Sequence, residues 1–200
     1  MAKEKGNDIT YEVYHGTSRT NANVIVKQGF KITNNEKHWL GYGAYFYLEI
    51  DLAEHWAKIQ HLKFGTKSST KNPAVLKAYL RAAPSTVIDM RLLSDYNNLK
   101  KMYKEFFDEC KSALTQRGLM GEIKSTNAKN KLRCAFFNWV NQNYEVEVVI
   151  GTFQKKSKYI IYNDDKTEQM WDTMRTPFIE VQVCVFDPKL ITDICVLERE

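Results

Sequence analysis

The order of strand-like and helix-like segments is the feature that most limits the fold of this 200-residue chain. Apolar and polar residues alternate near both ends of the chain, as over residues 9–14 and 179–186, which is typical of strands. The middle, from about residue 90 to residue 143, instead repeats its apolar residues at helical spacing. Repeated β–α–β units would interleave the two patterns. The sequence therefore predicts an α+β domain with a mixed or antiparallel sheet, flanking helices and a helical insertion.

Local signals set the expected ends of several elements. The first strand, Ile9–Tyr14, is expected to end at Gly16, and a helix over Thr20–Gly29 to stop at its glycine. Asp51 is the predicted N-cap of a second helix, with Glu54 three residues later in a capping box. The second helix is predicted to extend to residue 63, further helices to cover residues 92–114 and 127–143, and further strands to cover residues 42–48, 75–81, 86–89, 145–153, 159–162, 179–186 and 194–197.

The composition is that of one domain. With 44% hydrophobic residues the chain can bury a core, and we expect a single domain over residues 9–200 after a loose polar segment at residues 1–8. No apolar stretch approaches the ~18 residues needed to span a bilayer, and no apolar segment follows the charged N-terminus as in a signal peptide. The four cysteines form no CxxC pair, which is typical of reduced thiols. These features predict a cytoplasmic protein that does not enter membranes.

Two short motifs lie in the N-terminal part of the chain. Residues 15–18 (HGTS) come directly after the first predicted strand, and residues 41–46 (GYGAYF) open the aromatic strand. In this order they resemble the first two active-site motifs of the ADP-ribosyltransferases, enzymes that split NAD and transfer its ADP-ribose to an acceptor. The resemblance is to the diphtheria-toxin-like and poly(ADP-ribose) polymerase-like branch, whose signature is His-Tyr-Glu. It implies the ADP-ribosyltransferase fold, with a split sheet as its core.

The first motif supplies polar contacts to NAD in the family that it resembles. The resemblance implies that His15 bonds the nicotinamide ribose and that Gly16 lets the backbone approach the carboxamide, with Thr17 in support. Without the other motifs, a capping histidine in an ordinary strand-to-helix turn would explain the same residues.

The second motif supplies an aromatic surface for nicotinamide. By resemblance, Gly43 and Tyr45 belong to a G-x-G-x-Y-F motif in which the tyrosine stacks on the ring and an aromatic residue eleven positions later closes its other side. That position is Trp56. Aromatic pairs of this kind contribute about 0.5–1.5 kcal/mol beyond burial. A glycine-flanked core strand is the alternative explanation of the second motif alone.

The third motif of the family brings a glutamate to the ribose on the next-to-last strand. Residues 182–191 (QVCVFDPKLI) resemble it, but Gln182 holds the place of the glutamate. Glu180 lies two residues earlier, and the period of a strand points both side chains to one face. Three interpretations stay open. Glu180 supplies the carboxylate, or Gln182 is the natural residue of a weaker transferase or a binding module, or Gln182 is an engineered replacement of a glutamate that would complete an E-x-E pair.

Other candidate motifs are weaker. Residues 159–162 resemble the glutamate-bearing strand, but Lys158 precedes them. The glutamates of residues 145–147 (EVE) are expected on the solvent face of a strand. His55 and His61 are six residues apart, outside the i, i+4 spacing that puts two ligands on one helical face, so no metal site is predicted.

The resemblance implies an NAD-dependent mono-ADP-ribosyltransferase of toxin type, with NAD as donor substrate and a macromolecule as acceptor. A net charge of +5, many aromatic residues and basic stretches at residues 100–101, 129–133 and 155–158 slightly favour nucleic acid, such as RNA or single-stranded DNA, over protein. Solvated surface lysines are the alternative explanation. A catalytically silent NAD-binding or ADP-ribose-binding module is a second hypothesis. The resemblance also implies an antitoxin or inhibitor protein as partner.

Overall fold

The computed structural model describes residues 8–32, 34–64, 72–116, 126–155 and 178–198. This part of the chain contains one seven-stranded mixed sheet and four α-helices, which confirms the predicted α+β class. The strands are β1 (Ile9–Ser18), β2 (Ala44–Tyr47), β3 (Pro73–Ala82), β4 (Val87–Asp89), β5 (Val148–Lys155), β6 (Phe178–Val185) and β7 (Ile191–Leu197). The helices are α1 (Arg19–Gln28), α2 (Ile50–Phe64), α3 (Leu93–Gln116) and α4 (Thr126–Tyr144).

The strands follow the order β4-β5-β6-β2-β1-β3-β7 across the sheet. Neighbouring strands are antiparallel except for β4 and β5, which run parallel at one edge. Two parallel strands need a long crossover connection between them, and α3 and α4 lie in the chain between β4 and β5. The helical middle that the sequence predicts is therefore the crossover between the parallel strands β4 and β5.

The sheet is unevenly paired at its centre. β1 pairs with β3 along its whole length, whereas its pairing with β2 is limited to Tyr14 opposite Tyr47. Beyond that pair β1 and β2 are not paired in the described residues. A gap therefore opens between the end of β1 near Ser18 and the start of β2 at Ala44. This gap is the feature of the fold that positions the candidate site.

One hydrophobic core lies on one side of the sheet and takes buried side chains from six strands. Because strands from both halves of the sheet meet in this one cluster, the sheet must curve around it. Fully burying each large apolar side chain contributes about 1.5–3 kcal/mol. The fully buried members of the core include Val13, Phe46, Leu80, Ile150, Val183 and Val185.

The helices cover the remaining apolar surface. α3 and α4 pack against β5 through Phe106, Phe136 and Val149. α2 packs against β2 and β3 through a second cluster that includes Leu52 and Ala53. Within the described ranges, no helix combines the length and the apolarity that a membrane span requires.

The ends of α1 agree with the local signals in the sequence. The Ser18 hydroxyl accepts a hydrogen bond from the Asn21 N–H at 3.2 Å, so it caps one of the free N–H groups of the first turn. Gly29 ends the helix with a φ of 75°, a conformation that favours glycine, and its N–H bonds to the carbonyl of Ile25. The predicted bounds of this helix are therefore correct to within one residue.

Two predictions of element ends are wrong. Gly16 does not end the first strand but lies inside β1, because pairing with β3 keeps the backbone extended as far as Ser18. Asp51 is not an N-cap but lies in the first turn of α2, which begins at Ile50. An acidic side chain in the first turn still interacts favourably with the helix dipole.

The segment before β5 also differs from its prediction. The EVE segment, residues 145–147, precedes the strand instead of forming its solvent face, and Glu145 has a left-handed φ of 53°. The main chain of Glu147 bonds to Thr86 and Phe186, so this segment joins the ends of two neighbouring elements. The predictions for residues 1–7, 159–162 and 156–158 lie outside the described residues.

Candidate active site

A cleft of about 720 Å³ opens where β1 and β2 separate. This volume lies within the range of about 300–1,000 Å³ that is typical of small-molecule sites. β1, α1, β2, α2 and β6 contribute to its lining, together with residues between α1 and β2. Of the eight residues predicted from the three motifs, seven line this cleft: His15, Gly16, Thr17, Gly43, Tyr45, Trp56 and Gln182.

His15 bridges the gap between the two strands. Its Nδ1 lies 2.8 Å from the main-chain oxygen of Tyr45. Because a carbonyl oxygen can only accept, Nδ1 carries the proton and Nε2 is the acceptor nitrogen. The imidazole also makes edge contacts with Phe30 and Phe46, whose ring centroids are 5.2 and 5.9 Å away. The ring is therefore held in one orientation, with an acceptor nitrogen suited to a ligand hydroxyl.

Burial favours the neutral form of His15. Desolvation lowers the pKa of this histidine below its usual 6.5, although the hydrogen bond to Tyr45 opposes part of the shift. His15 therefore binds a proton less readily in the folded protein than in the unfolded chain. Its contribution to the free energy of unfolding is fully present above pH 6.5 and is lost as the pH falls through the folded-state pKa.

We expect the free energy of unfolding to decrease from about pH 7 to about pH 5, and to do so more steeply in the wild-type protein than in the His15→Asn variant. Urea denaturation at a series of pH values measures both slopes. His38, whose pKa burial also lowers, is present in both proteins and cancels in the comparison. Equal slopes would show that protonation of His15 is not linked to unfolding.

Tyr45 fixes the glycine-rich segment in addition to presenting its ring to the cleft. The hydroxyl accepts a hydrogen bond from the Leu40 N–H at 2.7 Å and donates one to the Gly41 carbonyl at 2.9 Å. Gly41 has a φ of 94°, which favours glycine, and Asn138 Oδ1 accepts from the Tyr42 N–H at 2.7 Å. The glycine-rich segment is thus hydrogen-bonded to Tyr45 of β2 and to Asn138 of α4.

Removing the Tyr45 hydroxyl tests this arrangement. We expect Tyr45→Phe to lower the free energy of unfolding by about 1–3 kcal/mol, because the Leu40 N–H and the Gly41 carbonyl each lose a partner. Tyr42→Phe is the matched control, since the contact of Tyr42 with Asn138 is made by its backbone. Chemical denaturation of the three proteins gives the comparison. Equal losses in the two variants would mean that the Tyr45 hydroxyl bonds have no special role.

The motif glycines at positions 16 and 43 are sites of close approach between elements. A Cβ at Gly16 would lie 2.0 Å from the carbonyl oxygen of Ala53 in α2. A Cβ at Gly43 would lie 2.5 Å from the sulfur of Cys184 in β6. Neither distance is compatible with a side chain, so these glycines let α2 and β6 pack directly against the strands that line the cleft.

Trp56 is the predicted second aromatic residue of the site. It lies on α2, its side chain is 37% exposed, and it lines the same cleft as Tyr45 of β2. The close packing of α2 on Gly16 determines where Trp56 lies relative to β1. The two aromatic residues that the sequence pairs by their spacing are thus on different elements of one cleft.

Gln182 and Glu180 differ in their relation to the cleft. Gln182 lies in β6, opposite Tyr47 of β2 and Gly151 of β5, and lines the cleft. Glu180 is fully buried and is absent from the described lining. Gln182 Nε2 donates a hydrogen bond to Glu180 Oε1, so the two side chains share one face, as the period of a strand predicts. Of the two, the amide is the one that meets the cleft.

The electrostatic character of the cleft depends on residues that no motif indicates. Its described lining includes Lys31, Lys37 and His38 but no carboxylate, a composition that favours an anionic ligand. The His38 ring lies 4.9 Å from that of Tyr45, and its buried Nδ1 has no hydrogen-bond partner in the described part of the chain. Isolated cations in a polar segment have no spacing signal, so the sequence could not single them out.

Comparisons with known proteins identify a relative, but that relative is uncharacterized. No protein-family model matches this chain. An uncharacterized protein of Methanocaldococcus jannaschii is 28% identical over 190 residues, an alignment that spans 92% of this chain and 85% of the relative. The similarity therefore extends well beyond the segments that line the cleft.

Proposed function

We propose that this chain has the ADP-ribosyltransferase fold and is an NAD-dependent mono-ADP-ribosyltransferase of toxin type. Its acceptor is a macromolecule, with nucleic acid favoured over protein, and an inhibitor protein is its expected partner in the cell. The observation that carries the proposal is the shared cleft: His15, Tyr45, Trp56 and Gln182 belong to four separate elements and yet line one space. Motifs that resembled the family by chance would have no reason to converge.

The groups of the cleft are complementary to the parts of NAD. The rings of Tyr45 and Trp56 suit the flat nicotinamide, and Nε2 of His15 can accept a hydrogen bond from a ribose hydroxyl. Lys31 and Lys37 suit the negative charge of the pyrophosphate. The nicotinamide, its ribose and the pyrophosphate thus each have a chemically matched group in the lining.

The reaction breaks the bond between C1′ of the nicotinamide ribose and the ring nitrogen of nicotinamide. Nicotinamide leaves with the bonding electron pair, and positive charge develops on the ribose before the acceptor nucleophile attacks C1′ and gives up its proton. A polar or negative group placed beside the ribose beforehand stabilises that charge. We assign this role to Gln182 of β6, which lines the cleft. Because its Nε2 donates to Glu180, its amide oxygen is left for the cleft.

A silent NAD-binding module is the second candidate. The observation that favours it is the lack of a carboxylate in the described lining, since a carboxylate would stabilise the developing charge better than an amide. Such a module would retain the aromatic and cationic groups that bind NAD.

Two measurements on the purified protein separate the candidates. Calorimetric titration reports NAD binding, and chromatography of the reaction mixture reports nicotinamide release. Binding with release supports an enzyme, and release without any acceptor would identify an NAD glycohydrolase activity. Binding without release, also when cell lysate is added as a source of acceptors, supports the silent module. The Lys31→Ala/Lys37→Ala variant should bind NAD more weakly, whereas Lys27→Ala, an exposed position of α1 outside the cleft, should not. Absence of NAD binding would contradict both candidates.

A further inference from the structure

A second concavity lies on the helical crossover. It is a groove of about 530 Å³ between α3 and α4, and it shares none of its described lining residues with the cleft. Its floor is apolar and includes Leu99, Phe136 and Phe137, which belong to the core beneath the helices. The groove is thus a built feature of the packing between α3 and α4.

Three cations line this groove. Lys100 comes from α3, and Lys129 and Arg133 come from α4. No described carboxylate lines the groove. By contrast, Lys131 on α4 forms an ion pair with Glu36 at 2.7 Å. In the described part of the chain none of the three groove cations has a carboxylate partner, and Arg133 donates a hydrogen bond to the neutral Asn130.

The carboxylates nearest in sequence to the groove residues of α3 are engaged elsewhere. Asp95 accepts a hydrogen bond from the main chain of Asp89 at 2.9 Å. Glu105 accepts one from the hydroxyl of Tyr144. The two carboxylates are thus hydrogen-bonded to residues outside the groove lining, and the lining keeps its net positive charge.

Two tyrosines of α3 present their rings at the same groove. Tyr96 is 41% exposed and Tyr103 is 42% exposed. The Lys100 ammonium lies 4.7 Å from the centroid of the Tyr96 ring, and the Tyr103 ring packs edge-on against Phe136 at 5.1 Å. Each ring thus contacts a neighbouring side chain and is still partly exposed to a ligand.

We propose that this groove binds single-stranded nucleic acid. Cations separated by exposed aromatic rings match a chain of phosphates whose bases stack on protein rings. A duplex keeps its bases stacked within itself and could not use the tyrosines, and an acidic peptide offers charge without flat rings. The combination of both features in one groove therefore selects an unpaired strand.

The groove leads toward the cleft. The guanidinium of Arg133 lies 5.7 Å from the ring centroid of Trp39, and Trp39 lines the cleft. A strand held in the groove could extend past Arg133 to the part of the cleft that Trp39 lines. Its role as acceptor rests on the proposed function, whereas the binding of the strand does not.

Fluorescence anisotropy with labelled RNA and DNA strands of about 12 nucleotides tests the groove without NAD. We expect the Lys100→Ala/Lys129→Ala/Arg133→Ala variant to bind about tenfold or more weakly near 0.1 M salt, and the slope of log K against log salt to fall by about 2, because each phosphate contact of a single strand contributes about 0.7. The matched control is Lys101→Ala/Lys104→Ala/Lys131→Ala, which removes the same charge from exposed positions on the same two helices. This control is expected to bind within about twofold of the wild-type protein.

The aromatic contribution has its own pair of variants. Tyr96→Ala is expected to weaken binding by about fivefold or more, because stacking of one base on an aromatic ring contributes about 1–3 kcal/mol. Tyr96→Phe keeps the ring and should bind like the wild-type protein. Circular dichroism of each variant verifies that α3 and α4 are folded.

Four outcomes would overturn the groove proposal. They are no binding of either strand by the wild-type protein, equal weakening by the two triple variants, equal affinity for a duplex, and equal affinity for polyglutamate. Binding of the strand without transfer of label from NAD to it would leave the groove supported and count against the proposed transfer to nucleic acid. Preference for RNA or for DNA in the same titration identifies which polymer the groove accepts.

Discussion

Replacing Gln182 by glutamate is expected to raise the rate of nicotinamide release on the order of 10²-fold, the scale on which one preorganised polar group affects a charged transition state. The reason is the position of this side chain in the cleft, at the place where the family that the sequence resembles has its glutamate. In the proposed reaction, a carboxylate there would face the positive charge that develops on the ribose as the glycosidic bond lengthens. An amide oxygen offers only a dipole to the same charge.

Glu180 is not expected to replace this carboxylate in the present structure. It is fully buried, it is absent from the described lining of the cleft, and it accepts a hydrogen bond from Gln182. Moving it to the cleft would break that hydrogen bond and rearrange β6. We therefore expect Glu180 to affect the rate of nicotinamide release by orienting the Gln182 amide.

The measurement is the initial rate of nicotinamide release at saturating NAD, with three variants beside the wild-type protein. Gln182→Glu carries the prediction. Gln28→Glu makes the same chemical change at an exposed position of α1 outside the cleft and should leave the rate unchanged. Glu180→Gln tests the neighbouring carboxylate. A rate that is lost in Glu180→Gln but does not rise in Gln182→Glu would identify Glu180 as the catalytic carboxylate, and silence in every protein would favour the binding module.

The thermal stability of Gln182→Glu has to be followed in parallel. The new carboxylate would lie beside Glu180, and two like charges at this distance oppose each other's ionisation. A lower melting temperature together with a faster release of nicotinamide would still support the prediction. The new carboxylate is expected to stabilise the transition state while its repulsion with Glu180 destabilises the folded protein.

Gly16→Ala is expected to destabilise the protein at or above the upper end of the range of about 1–3 kcal/mol that overpacking usually costs. The added methyl group would lie 2.0 Å from the carbonyl oxygen of Ala53 and 2.9 Å from the backbone nitrogen of Ala57. These are backbone atoms of a helix, so no single side chain can move aside. The helix as a whole has to shift away from β1.

The same shift would disturb the cleft, because α2 carries Trp56. Any fraction of Gly16→Ala that folds is therefore expected to bind NAD more weakly than the wild-type protein. Gly29→Ala is the matched control: its Cβ would meet no atom within 4 Å, but its φ of 75° disfavours alanine. That backbone effect costs roughly 1–2 kcal/mol. Urea denaturation compares the two, and equal losses would show that the contact with α2 is not the source of the destabilisation.

Much of the fold could be predicted because its signals are local. The alternation of β6, the stop of α1 at Gly29, and the helical spacing of α3 and α4 are set by neighbours along the chain. The shared face of Glu180 and Gln182 follows from the period of a strand in the same way. Predictions failed where a tertiary contact overrode a local signal, as at Gly16, which pairing with β3 keeps within β1.

The candidate site was only partly predictable. The sequence indicated His15, Tyr45, Trp56 and Gln182 through motif order and spacing, but it gave no signal for Lys31 among the surface lysines. Nor could it show that the Tyr45 hydroxyl bonds to the main chain of the glycine-rich segment. Such contacts join residues whose distance in space is unrelated to any period of the chain.

By itself, the sequence determined which residue types and periodic patterns are available: an α+β domain, a strand followed directly by HGTS, an aromatic strand with glycines before it, and a helical middle. Only the tertiary structure decided that β1 and β2 separate to form a cleft, that Gln182 rather than Glu180 meets it, and that Lys100 and Arg133 share a groove with two tyrosines. The physical reason is that periodicity fixes which face of an element a side chain occupies, whereas burial and charge at that face depend on which other elements pack against it.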